Sequence, residues 1–185
     1  MSTEWNNSPG WVPPRLLEFN YCPTCGGDLV VRHDGHSYRP HCAPCNRFFY
    51  RNPIPAAACF VVRADGAMLF ARRAVQPCKG MWTLPGGFVE LDETTEEAAL
   101  RELNEETNLT ATRATLLGVS TKQSPLSGAV MVLGYLIEDW TGEEAMRPDT
   151  DAAELCFFSR GERPQVPFAT HRELLEIYDR TQGNA

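Results

Sequence analysis

Three glutamates near the middle of the chain, Glu102, Glu105 and Glu106, have the residue type and the spacing of a divalent-metal site. Spacings of three and four residues place their side chains within about 100° of arc on one side of a helix. Like charges at these positions cost a helix about a few tenths of a kcal/mol per pair unless a cation lies among them. Carboxylate oxygens in this number suit Mg²⁺ or Mn²⁺. A solvated acidic surface is the alternative that the spacing alone leaves open.

The helix that carries these glutamates is predicted over residues 95–107. Thr94 and Glu97 have the spacing of a capping box, in which each side chain bonds the backbone N–H of the other residue. A separate apolar stripe of this helix can bury against a sheet: Ala99, Leu100, Leu103 and Thr107. The three glutamates are therefore expected to face a cleft or the solvent.

Four cysteines predict a second metal site, of a structural kind. They form two pairs with two residues inside each pair and sixteen residues between the pairs: Cys22, Cys25, Cys42 and Cys45. This spacing is typical of a four-thiolate zinc site, whose closed tetrahedron leaves no position for a substrate. The alternatives are two disulfides or four buried thiols, or a nearby histidine in place of one sulfur: His33, His36 or His41. A unit of about 30 residues buries little core, so bound metal is expected to supply most of its folding free energy.

Composition limits the classes of protein that the chain can represent. Its 185 residues, 43% of them hydrophobic, fit one globular domain plus a small appendage. The net charge of −7 and the absence of a long block of one sign argue against an extended nucleic-acid surface. The longest apolar run, 129–137, is shorter than a membrane span, and residues 1–15 lack the pattern of a signal peptide. The chain has seven cysteines, an odd number, and four of them stand in two closely spaced pairs, which is the pattern of a metal site in a reducing compartment. We therefore predict a cytoplasmic protein with no membrane partner.

Three regions are predicted along the chain. Residues 1–19 combine tryptophans and prolines without periodicity and are read as an irregular arm. Residues 20–52 hold the cysteines and short strand patterns at 28–32, 36–39 and 47–50, with a turn at Asp34-Gly35. Residues 53–185 form a larger domain with strands at 56–63, 68–72, 114–121, 129–138 and 154–158 and a second helix near 170–180. The first two of these strands are predicted to form a hairpin at Asp65-Gly66.

The segment from Gly87 to Leu109 resembles the Nudix box: glycine, five residues, glutamate, seven residues, Arg-Glu, an aliphatic residue, any residue, Glu-Glu, any residue, glycine, aliphatic. Every fixed position matches except one, where Asn108 replaces the second glycine. Asparagine also tolerates the left-handed conformation that ends such a helix, so the site is expected to be intact. The resemblance implies an α+β fold, a Nudix α/β/α sandwich with a mixed sheet, preceded by a small zinc-ribbon β unit.

The same resemblance implies roles for individual residues. Glu102, Glu105 and Glu106 would be catalytic ligands of Mg²⁺ or Mn²⁺, and Gly87 would add its backbone carbonyl. Glu93 and Arg101 would form an internal ion pair that fixes the loop against the helix. A box glutamate or a carboxylate on a later loop would act as the general base.

A zinc ribbon joined to a Nudix domain is similar to two groups of enzymes. NADH pyrophosphatases carry a Ser-Gln-Pro-Trp-Pro-Phe-Pro segment after the box, whereas residues 120–126 here read Ser-Thr-Lys-Gln-Ser-Pro-Leu. A set of bacterial and plant-chloroplast enzymes that act on FAD and ADP-ribose is similar through residues 73–77, 80–87, 125–128 and 154–158. The resemblance therefore implies hydrolysis of the pyrophosphate bond of FAD or ADP-ribose with release of AMP.

Three further residues are candidates for substrate binding: Arg72, Arg73 and Glu154. The two arginines end a strand near the expected cleft, although neighbours in a strand point to opposite sides and surface ion pairing is the alternative. Glu154 lies where many Nudix enzymes place another acidic residue, and a solvent-facing role is equally open. Trp82 either stacks on a ring of the substrate or braces the glycine loop. His171 is predicted at the surface, and Cys59, Cys78 and Cys156 are predicted to fill core volume.

Other functions remain open at this point. One alternative is a non-catalytic protein that senses ADP-ribose or a related nucleotide while its zinc ribbon contacts nucleic acid or another protein. Against it, the box carboxylates are complete, and the ribbon has few basic residues besides its histidines: Arg32, Arg39, Arg47 and Arg51. Nucleic acid is therefore not expected as a partner. Other Nudix substrates are NADH, dinucleoside polyphosphates, oxidised nucleoside triphosphates and capped RNA. Apolar surface on the arm and ribbon predicts a homodimer, which light scattering can test.

Overall fold

A computed structural model describes residues 20–124 and 128–183. The chain divides into two compact units between Asn52 and Pro53. The predicted arm at residues 1–19 and most of the segment 125–128 lie outside the described residues. Each unit is described by itself.

The smaller unit is a three-stranded antiparallel sheet. Its strands are β1 (Leu29–His33), β2 (Tyr38–Cys42) and β3 (Arg47–Phe48), in the order β1-β2-β3. The turn between β1 and β2 is closed by Asp34, whose Oδ1 accepts hydrogen bonds from the backbone N–H groups of His36 (2.8 Å) and Ser37 (2.7 Å). The predicted strand pattern and the predicted turn are confirmed here.

The described residues of the larger unit form two three-stranded sheets and two α-helices. Its elements in chain order are β4 (Ile54–Val61), β5 (Met68–Arg73), β6 (Trp82–Thr83), α1 (Thr95–Thr107), β7 (Arg113–Ser124), β8 (Gly128–Glu138), β9 (Ala152–Phe158) and α2 (Ala169–Gly183). One sheet has the order β4-β8-β7 and is mixed, because β4 and β8 run parallel while β7 and β8 run antiparallel. The other sheet, β6-β5-β9, is antiparallel. The predicted α+β class with a mixed sheet is confirmed.

The predicted hairpin between β4 and β5 is confirmed at its turn but does not continue along the strands. Gly66 N bonds Arg63 O (2.9 Å), Arg63 N bonds Ala67 O (2.9 Å), and one antiparallel bridge joins Val62 to Met68. Beyond this bridge the two strands belong to different sheets. One edge of β4 pairs with β8, and residues 85–89 bond the other edge through Ala57 N to Gly87 O (2.8 Å) and Cys59 N to Pro85 O (2.8 Å). Both edges of β4 are thus occupied, and β5 finds its partners in β6 and β9.

The core lies on both faces of β4, which is buried from Ala56 to Val61. Alternate side chains of a strand point to opposite faces, so Ala57, Cys59 and Val61 pack in one cluster with Ala98, Ala99 and Leu103 of α1. The intervening residues Ala56, Ala58 and Phe60 pack in the second cluster with Leu174 and Tyr178 of α2. The sheets therefore lie between the two helices, as the α/β/α prediction requires. No helix in the described part of the chain is long and apolar enough to span a membrane.

Candidate active site

Helix α1 begins and ends at the residues that the sequence predicts. Thr94 accepts a hydrogen bond from Glu97 N (3.2 Å) and Glu97 accepts one from Thr94 N (2.7 Å), which completes the capping box. Asn108 ends the helix in the left-handed conformation, with φ 61°, and its N–H bonds Asn104 O. Asparagine therefore fills the position of the missing box glycine, and the helix that presents the glutamates is complete.

Glu106 is buried, contrary to the expectation that all three glutamates face a cleft or solvent. Only 7% of the residue is exposed, and its Oε2 accepts a hydrogen bond from Gly86 N (2.9 Å). Burial raises the pKa of Glu106 to about 7, although the Gly86 N–H lowers it. Among the described residues no arginine, lysine or histidine nitrogen lies within 4.0 Å of this carboxylate. A buried carboxylate here has one backbone donor and no ion-pair partner.

Two glycines bring the 85–89 loop into contact with β4 and α1. At Gly86 the backbone has φ 142°, and a Cβ would lie 2.1 Å from Ala57 O. At Gly87 a Cβ would lie 2.3 Å from Oε1 of Glu102. Any larger residue would displace this loop or the Glu102 carboxylate, so the glycines are required for the close approach of main chain and carboxylate.

Arg101 links the loop to the acidic side of α1. It donates two hydrogen bonds to Glu93, from Nε (2.9 Å) and Nη2 (2.7 Å), and one to Phe88 O (3.0 Å). Its Nη1 donates to Glu102 (2.9 Å) and Glu105 (3.0 Å). The bidentate contact with Arg101 lowers the pKa of Glu93 to about 2. One guanidinium therefore orients three carboxylates. The contact with Glu93 was predicted from the sequence, and the contacts with Glu102 and Glu105 were not.

The three box glutamates differ in exposure. The side chain of Glu105 is 48% exposed and that of Glu102 is 15% exposed, and burial raises the pKa of Glu102. Their oxygens do not all lie within 4.8 Å of one another, since among the described residues only the cysteines form such a group. Hard oxygen donors on one side of a helix fit Mg²⁺ or Mn²⁺ chemically. Sharing one ion requires rotation of a side chain such as Glu105, which is half exposed and would exchange its ion pair with Arg101 for the cation.

The two candidate arginines point to different sides of β5. Arg72 donates to Gly80 O (2.9 Å) and forms an ion pair with Glu154 (3.2 Å), whose side chain is half exposed. Arg73 donates from Nε to Pro77 O (2.7 Å) and lies over the ring of Phe168, 5.4 Å from its centroid. Two of the three candidate substrate residues are therefore paired with each other, and Arg73 is separate from them.

Trp82 packs within the protein. Its ring meets Phe158 edge to face, with 5.1 Å between centroids, next to the core cluster on the α2 side. This contact favours the bracing role over stacking on a substrate. Cys59 is buried and donates to Ala99 O (3.1 Å), while Cys78 and Cys156 are half buried.

His171 is half buried, so the prediction of a surface residue is wrong. Its ring packs against Phe168, with 5.4 Å between centroids. Its Nδ1 is shielded from solvent and has no hydrogen-bond partner among the described residues. Burial, and then the charge of Arg73, lower the pKa of His171 to about 4. The imidazole is therefore neutral at pH 7.

His171 is expected to make stability depend on pH. Its folded-state pKa of about 4 lies below the ordinary value of about 6.5, so protonation favours the unfolded chain. The contribution of neutral His171 to the free energy of unfolding is fully present above about pH 6.5 and is lost as the pH falls from there towards 4. His171→Gln should therefore show a smaller fall in Tm between pH 7 and pH 4.5 than the wild type. The exposed His36→Gln is the control, and equal falls in all three proteins would contradict the assignment.

The four cysteine sulfurs of the smaller unit form one group whose atoms all lie within 4.8 Å of one another. The separations are 3.9 Å for Cys22 and Cys45 and 3.5 Å for Cys25 and Cys42. Four thiolates at about 2.3 Å from a tetrahedral Zn²⁺ lie about 3.8 Å apart, so the donor set fits that ion. All seven cysteines are free thiols, and no histidine joins the group among the described residues.

Similarities to characterised proteins cover most of the chain. An ADP-ribose pyrophosphatase from Methanocaldococcus jannaschii is 36% identical over 121 residues, which are 65% of this chain and 70% of that protein. The NAD-capped RNA hydrolase NudC from Vibrio vulnificus is 30% identical over 147 residues, 79% of this chain. The chain spans 53% of the length of that NudC.

The fold is also similar to that of solved structures. A Nudix hydrolase from Nitrosomonas europaea matches with a TM-score of 0.69 and 28% identity, over 89% of this chain and 94% of the other. A MutT Nudix hydrolase from Burkholderia pseudomallei matches with a TM-score of 0.61 and 31% identity, over 68% of this chain and 97% of the other. The model of the NUDIX domain family matches residues 52–178. The chain therefore belongs to the Nudix family.

Proposed function

We propose that this protein hydrolyses the pyrophosphate bond of a nucleoside-diphosphate-linked compound, with ADP-ribose or FAD as substrate. Water adds across one P–O–P linkage, so that AMP leaves with one phosphate and the remaining part of the substrate keeps the other. The similarity to an ADP-ribose pyrophosphatase supports this substrate class. Residues 120–126, which differ from the segment typical of NADH pyrophosphatases, support it further.

The buried carboxylate of Glu106 is the observation that carries this proposal. A buried anion is costly unless a cation is close, and the described residues supply Glu106 with only a backbone N–H. A divalent cation beside α1 would supply the missing charge, and Glu102 and Glu105 would share it. The chemistry that such a cation provides is neutralisation of the pyrophosphate and activation of water near neutral pH.

The chain's own residues hold and orient these groups. Arg101 keeps Glu102 and Glu105 on the side of α1 that carries Glu106, and Glu93 fixes Arg101 in turn. The Gly87 carbonyl accepts from Ala57 N and retains a second lone pair, which makes it a further oxygen donor for the cation. Arg73 would contact the phosphates, with Arg72 and Glu154 as a paired outer group. A box glutamate or a carboxylate of the β8–β9 loop would accept the proton of the attacking water.

Zinc in the smaller unit is proposed to be structural. Four thiolates fill a tetrahedral shell, so no position is left for water or substrate. The hydrolytic chemistry is therefore assigned to the larger unit alone. A reducing, cytoplasmic location and a homodimer complete the proposal.

A second candidate substrate is the NAD-linked pyrophosphate, either in NADH or at the end of a capped RNA. The similarity to a NAD-capped RNA hydrolase favours it. The bond that breaks is the same phosphoanhydride, so both candidates use the same carboxylates. A non-catalytic sensor is disfavoured because the box carboxylates are complete.

A substrate panel tests the proposal. With Mg²⁺ present, we expect kcat/KM to be highest for ADP-ribose or FAD among a set that adds NADH, NAD-capped RNA, diadenosine polyphosphate and nucleoside triphosphates. Chromatography should show AMP as a product, and a chelator should abolish its release. A preference for NADH or capped RNA by about tenfold or more would overturn the ranking.

A further inference from the structure

The end of β5 that carries Arg73 is connected to α1 through main-chain hydrogen bonds of residues 149–151. The next residue, Ala74, donates from N to Asp151 O (2.7 Å), and Asp149 of the same loop donates from N to Glu106 O (3.2 Å). Main-chain hydrogen bonds through residues 149–151 therefore link the end of β5 that carries Arg73 to the helix that carries the box glutamates.

Arg73 differs from the other stacked arginines described in the larger unit. Arg63 lies over Phe157 at 4.6 Å and Arg163 over Tyr178 at 5.6 Å. Each of those also pairs with a carboxylate within 3.2 Å. Arg73 stacks on Phe168, yet it has no carboxylate within 4.0 Å in the described part of the chain. The positive charge of Arg73 therefore has no carboxylate partner among the described residues and is available to bind an anionic ligand.

The side chain of Arg73 is nevertheless held in place. Its Nε–H donates a hydrogen bond to Pro77 O (2.7 Å), and its Cζ lies over the Phe168 ring, 5.4 Å from the centroid. Neither Nη group has a protein hydrogen-bond partner among the described residues. Because Nε is anchored, the free N–H groups of Nη1 and Nη2 have fixed directions. Two such donors are suited to bidentate contact with a phosphate.

We propose that Arg73 binds the pyrophosphate of the substrate and that Phe168, just before α2, is the positioning residue that holds its guanidinium for this contact. The inference rests on the proposed function and adds the residue that precedes α2 to the substrate site. Phe168 acts only through Arg73. Its effect should therefore disappear when Arg73 is absent.

A double-mutant cycle with ADP-ribose and Mg²⁺ tests this dependence. Arg73→Ala should raise KM by about 10- to 100-fold with a smaller change in kcat, because a charge-assisted contact to the ground-state pyrophosphate is lost. Phe168→Leu should raise KM by about 2- to 5-fold. The separate variant Phe168→Tyr keeps the aromatic ring and should have the wild-type KM. In the Arg73→Ala background, Phe168→Leu should have no further effect.

Phe157→Leu is the matched control, because Phe157 is also half buried beneath an arginine, but that arginine is committed to carboxylates. It should change KM by less than about twofold. The proposal is overturned if Phe168→Leu has the same effect with and without Arg73, if Phe157→Leu matches it, or if folded Arg73→Ala keeps the wild-type KM. A wild-type protein that hydrolyses no member of the panel would reject the proposed function and this inference together. An active wild type with an additive cycle would reject this inference alone.

Discussion

Glu106→Gln is expected to lower kcat by about 10³-fold without unfolding the protein. Glutamine has the same shape and keeps an acceptor for the Gly86 N–H, so the bond of 2.9 Å can persist. The substitution removes the charge that the proposed cation needs, and metal-ion catalysis supplies several kcal/mol of transition-state stabilisation. Removal of a buried, unpaired charge should leave the Tm of the metal-free protein unchanged or higher. Steady-state kinetics and thermal unfolding measure the two effects.

Two companion variants make this result specific. Glu105→Gln should also lower kcat by orders of magnitude, although its side chain is half exposed, because it would share the same cation. Glu96→Gln, an exposed substitution in the first turn of α1, is the control and should keep near-wild-type turnover. Turnover close to that of the wild type in both Glu105→Gln and Glu106→Gln would refute the assignment of the site.

Cys42→Ser is expected to release zinc and to unfold the smaller unit. Binding of a structural zinc contributes on the order of 10–16 kcal/mol in small zinc units, and residues 20–52 of this unit form three short strands. Elemental analysis should find about one zinc per wild-type chain and much less in the variant. Circular dichroism should show loss of part of the strand signal. Hydrolysis should continue in part, since the acidic helix lies in the other unit.

Cys156→Ser is the control for the zinc prediction. Cys156 is also a free thiol, half buried in β9, and lies outside the group of four sulfurs. This variant should keep its zinc and its activity. Retention of full zinc content by Cys42→Ser would contradict the ligand assignment, and total loss of hydrolysis in a still-folded Cys42→Ser protein would show that the smaller unit helps to form the active site.

Features that depend on local chemistry were predictable from the sequence. The bounds of α1 follow from Thr94, Glu97 and Asn108, each of which satisfies backbone groups within one turn of its own position. The turn at Asp34 is local in the same way. The strands of the larger unit lie within a few residues of their predicted positions, because their apolar runs are continuous.

Features that depend on contacts distant in sequence were not predictable. Helical periodicity placed Glu106 with the exposed glutamates, but the 85–89 loop lies along β4 and covers that part of α1. The same pairing occupies the edge of β4 that β5 would need in order to pair along its length beyond the turn. Phe168 contacts Arg73, and His171 contacts Phe168, only after α2 packs on the sheet, about a hundred residues later in the chain than β5. No spacing rule in the sequence joins these three residues.

The most direct test is a crystal structure of the protein with Mn²⁺ and a non-hydrolysable analogue of ADP-ribose, with the ions located by anomalous scattering. We expect Mn²⁺ at roughly 2.1–2.2 Å from carboxylate oxygens of Glu102, Glu105 or Glu106, with the phosphates of the analogue bound to the same ion. Manganese and analogue bound together at another surface, with no ion beside α1, would contradict the account.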